Sequence, residues 1–115
     1  MNDPALTSEI EALARGLYGA DPHLDELIDN LIAIHRTRYD RKELAAVLPR
    51  LAGEDSVLRL LSLVVEAKAD SKAVADLDST DRHATKAALH GLAADLDHLT
   101  DRADADKATR HLDPA

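Results

Sequence analysis

Residues 82–106, RHATKAALHGLAADLDHLTDRADAD, set His83, His90, His98, Lys86 and a run of aspartates on what reads as one helix. Imidazoles can ligate a metal ion or attack phosphorus, and paired carboxylates can trade a proton. Helical spacing decides which of these chemistries is open. A rise of ~1.5 Å per residue puts His83 about 10 Å from His90, and His90 about 12 Å from His98. Zinc ligands sit ~2 Å from the ion, so no two of these histidines share one unaided. Asp95 with His98, and Asp101 a turn later, is the one ligand-like pair, and the chain has no Glu-x-x-His segment of the kind di-iron bundles turn inward. Asp95 and Asp97 are expected in water, without the burial that would raise a carboxylate into acid–base work. These residues imply no metal, no cofactor and no enzyme.

Two short segments carry family resemblances. His83-Ala84-Thr85-Lys86-Ala87 resembles the His-x-Leu-Lys-Gly motif of histidine-phosphotransfer domains, four-helix bundles that relay phosphoryl groups between signalling receivers. The resemblance implies His83 as phosphoryl acceptor, with Lys86 one turn on offsetting the added charge. Two of the five positions match; Thr85 stands for Leu and Ala87 for Gly, and a helix capped at Thr80 would place His83 near its start. Asp55-Ser56, opening a helix within AGEDSVLRLL (residues 52–61), resembles acyl carrier proteins and implies a phosphopantetheine arm on Ser56. Val57 stands where that family has Leu, and Asp and Ser are also ordinary N-caps.

The chain's one basic cluster is HRTRYDRK, residues 35–42. Arg36, Arg38, Arg41 and Lys42 around Tyr39 could hold phosphate or an acidic partner. The same cations would offset the macrodipole if they close a helix.

The elements that must position these residues are helical throughout. Asp3-Pro4 and Asp21-Pro22 each offer an N-cap followed by Pro at the first helical position. Asp40 with Glu43 forms a capping box, and Gly19 and Gly53 are stops. Apolar residues recurring at three- and four-residue steps predict helices over 4–18, 22–38, 41–52, 56–77 and 81–111, with 112–115 a tail. Pro49 should kink or end the third near Leu48. Breaks are expected around Ser71 and Asp78–Thr80. On the last helix Thr85, Leu89, Leu92, Leu96, Leu99 and Ala103 make a core seam, leaving the three histidines ~140–160° away, in solvent. The segment SVLRLLSLVVEAKA is apolar nearly all round at its start, as in helices buried on several sides or in an oligomer interface.

The fold class implied is all-α: a single-domain bundle of four to five helices, possibly self-associating. At 115 residues, 45% apolar and 31% charged, the composition is globular. With no Phe, Trp or Cys, the core must come from Leu, Ile, Val and Ala, and neither disulfides nor thiolate metal sites are available. A formal charge of −8 argues against general nucleic-acid or anionic-membrane binding. No apolar run is long enough to span a bilayer, and the acidic N-terminus is unlike a signal peptide, so a cytoplasmic location is expected. The function these features favour is a non-catalytic protein–protein interaction or regulatory module. Its partner would be basic or helical, or a second copy of the chain.

Overall fold

The computed structural model describes residues 4–100 and 104–112. Every described element is helical, with no strand among the described residues, and the fold is the all-α bundle that the periodicity implies. Asp3, Asp101, Ala103 and the tail beyond Leu112 lie outside the described residues. The chain divides between Arg38 and Tyr39 into two compact units.

The first unit is a helical hairpin, α1 (Pro4–Leu17) and α2 (Pro22–Arg36). Its turn is built by Gly19, whose φ of 100° is costly for any residue with a Cβ, and by Asp21. The Asp21 carboxylate accepts from the backbone N–H groups of His23 (2.9 Å) and Leu24 (3.1 Å), with Pro22 next in line as the sequence implies. Thr37 closes α2 by donating its hydroxyl to the Ala33 carbonyl at 2.7 Å, so the helix stops before Arg38. Polar side chains link the two helices. Thr7 meets His35 at 3.3 Å, Arg36 reaches Glu11 at 3.4 Å, and the Tyr18 hydroxyl donates to Asp29. That hydrogen bond, with the carboxylate's charge beside it, raises the Tyr18 phenol above its ordinary 10.0. Among the described residues of this unit, Ala14 and Ile28 are the buried apolar ones.

The second unit opens with α3 (Arg41–Ala52), started by the capping box of Asp40 and Glu43. α3 spans the 41–52 that the periodicity predicts; of the two outcomes expected of Pro49, a kink or an end near Leu48, the end does not occur, and the helix runs three residues further. Pro49 removes one donor near the C-terminal end, yet its own carbonyl still accepts from Gly53 N–H at 2.9 Å, and α7 (Asp104–Leu112) packs along α3. Then comes α4 (Val57–Ala67), capped by Ser56, whose hydroxyl accepts from Arg59 N–H at 3.2 Å. The helix expected over 56–77 is broken after Ala67. A 3-10 turn (Lys68–Asp70), extended backbone at Ser71 and a short α5 (Lys72–Ala75) follow. Ala69 and Val74 are buried in this segment, so the chain bends to bring both against α6 (Ser79–Thr100). The expected 81–111 helix corresponds to α6 and α7 on either side of residues 101–103.

Gly53 is fixed by crowding rather than by its φ. A Cβ there would stand 2.6 Å from the Pro49 carbonyl oxygen. Gly53→Ala should therefore displace the turn after α3 and destabilise the second unit by about 1–3 kcal/mol, the usual range for overpacking. Urea unfolding followed by circular dichroism checks this; an unchanged midpoint would refute it.

Candidate functional site

The antiparallel pairing of α4 with α6 organises the second unit. Residue numbers fall on α6 as they rise on α4. Arg59 pairs with Asp97 at 2.6 Å, and Ser62 donates to the Ala93 carbonyl at 2.8 Å. Glu66 faces His90 at 3.7 Å, and Asp70, just beyond α4, faces Lys86 at 3.8 Å. Ser62 is 2% exposed and Ala93 3%, so the two backbones approach closely where both side chains are small. The Arg59–Asp97 pair, about two-fifths exposed on both sides, aligns the helices but adds only about 0–1 kcal/mol.

This pairing places polar residues of α4 on its inner side, next to the half-buried Leu58 and Val65, and leaves a largely apolar outer face. Its polar residues, Arg59, Ser62 and Glu66, point at α6, while Val57, Leu60, Leu61, Leu63 and Val64 are exposed. At ~100° per residue, Leu60 and Val64 lie within ~20° of the direction opposite Ser62. The seam on α6 shifts to match. Ala93 and Thr100 are its buried centre, Thr85, Leu89 and Leu96 are half-buried, and Leu92 and Leu99 are exposed rather than in the core. Measured from Ala93, His90 lies ~60° round α6, His83 ~80° and His98 ~140°. All three are exposed, but His90 borders the α4 contact instead of standing far from it.

The phosphotransfer pair sits near the start of α6. The cap there is Asp78, which accepts from Asp81 N–H at 2.9 Å, so the helix begins before Thr80. His83 is exposed, and Lys86 is engaged with Asp70 across the seam. The Ser56 hydroxyl acts as the α4 cap. Asp95 and His98 are exposed, and among the described residues no group of three potential ligands comes together to hold a metal ion.

The basic cluster is shared between the two units. Arg36 ends α2 and reaches Glu11, and Arg38 follows the end of that helix. Arg41 and Lys42 instead open α3, the end of a helix that disfavours cations, so the macrodipole does not account for them. Arg41 turns to the other end of the pair and donates its Nε to the Leu112 carbonyl, at the last turn of α7, at 3.1 Å. With Asp40, Lys42 and Leu112 it lines an open depression of about 530 Å³. The Glu43 N–H donated to Asp40 holds that carboxyl below its ordinary 3.8.

Sequence patterning flagged α4 as unusually apolar but not which side faces out. The signal is present in hindsight: Arg59, Ser62 and Glu66, three and four residues apart, put the polar groups of α4 on one stripe. Comparison with protein-family models, curated proteins and solved structures finds no match.

Two measurements test this arrangement. Ser62→Ala should cost about 1 kcal/mol for the lost hydrogen bond, and Ser62→Leu more, because the α4–α6 gap has no room for it. Equal unfolding midpoints for the two variants would refute the close approach. The second concerns Asp40, whose lowered value means its contribution is present above 3.8 and is lost as pH falls through the folded-state value. The difference in Tm between wild type and Asp40→Ala should thus be present at pH 7 and vanish in stronger acid. A difference that persists there would overturn the capping assignment.

Proposed function

We propose that this protein is a non-catalytic protein–protein interaction module that presents the outer face of α4 to an apolar helical partner. The observation that carries this reading is the reversed polarity of α4. A helix that spends its polar residues on its own neighbour, with Leu60 60% exposed, keeps an apolar face for something else. Val57, Leu60, Leu61 and Val64 fall at the i, i+3, i+4, i+7 spacing by which helix-binding grooves and helices recognise each other. Neither charged residue of α4, Arg59 nor Glu66, stands on that face. Leu61 and the exposed Leu92 and Leu99 of α6 turn to the same side of the helix pair, widening the apolar surface. Patches of this kind mark interaction sites more often than they decorate a solitary protein. No described helix is long and apolar enough to cross a membrane, so a membrane-spanning role for α4 has no support.

The test is affinity purification from the native host with wild type, Leu60→Asp and His83→Gln. A partner protein should be retained by wild type and His83→Gln and lost with Leu60→Asp. Intact mass of the recovered protein is read in parallel. A phosphoryl group on His83 or a prosthetic arm on Ser56 would overturn the interaction reading in favour of a carrier.

A further inference from the structure

We draw no further inference here: the strongest candidate, the exposed leucine face of the α1–α2 hairpin, is an unpartnered apolar surface, and nothing in the structure shows what covers it.

Discussion

A single buried hydroxyl sets the geometry of the second unit. Ser62 can donate to the Ala93 carbonyl only if the α4 and α6 backbones come close, and they come close only because neither residue carries bulk. Once that contact is made, helical periodicity leaves little choice. Arg59, Glu66 and Asp70 fall opposite Asp97, His90 and Lys86, Leu58 and Val65 stay half-buried beside Ser62, and Leu60 and Val64 turn outward. Burying a hydroxyl without a partner costs more than its hydrogen bond returns, so the satisfied Ser62 specifies one register more than it adds stability. The 3-10 turn after Ala67 follows as well, because the chain has to bend there for Ala69 to reach α6.

The same preference for small residues runs through the described structure. Ala14, Ala45, Ala69 and Ala93 are buried while Leu6, Leu13, Leu60 and Leu99 are exposed. Alanine at a helix contact gains close backbone approach and forgoes buried area. Helices held in this way are well registered against each other, but the large apolar area that normally stabilises a domain of this length remains in contact with water.

Much of this architecture was legible in the sequence, and the illegible part has a physical cause. Caps are local: Asp21-Pro22, Asp40 with Glu43 and Ser56 act where short-range chemistry places them. Pro49 sits in the last turn of α3, where its missing N–H removes a single hydrogen bond and the helix still reaches Ala52. The seam on α6 was misplaced because a tertiary contact overrode the local pattern. Periodicity counts leucines, and by that count Leu92 and Leu99 belong inside, but the close contact selects Ala93 and Thr100. The basic cluster looked continuous at residues 35–42, yet a unit boundary falls within it, and nothing in its composition marks the break. The alternative chemical roles of His83 and Ser56 rested on a few residues each. In the structure Ser56 caps a helix, and the lysine paired with His83 faces an aspartate.

The reversed helix also bears on how long a molecule of this kind persists. Exposed stretches of leucine and valine are the signal by which chaperones and proteases sort incomplete proteins from finished ones. In α4 that signal belongs to the folded state, with Leu60 and Val64 outward even when every backbone bond of the helix is made. Under the proposed function, a partner seated on α4 would hide that signal, and the bare chain would display it for as long as it stays alone.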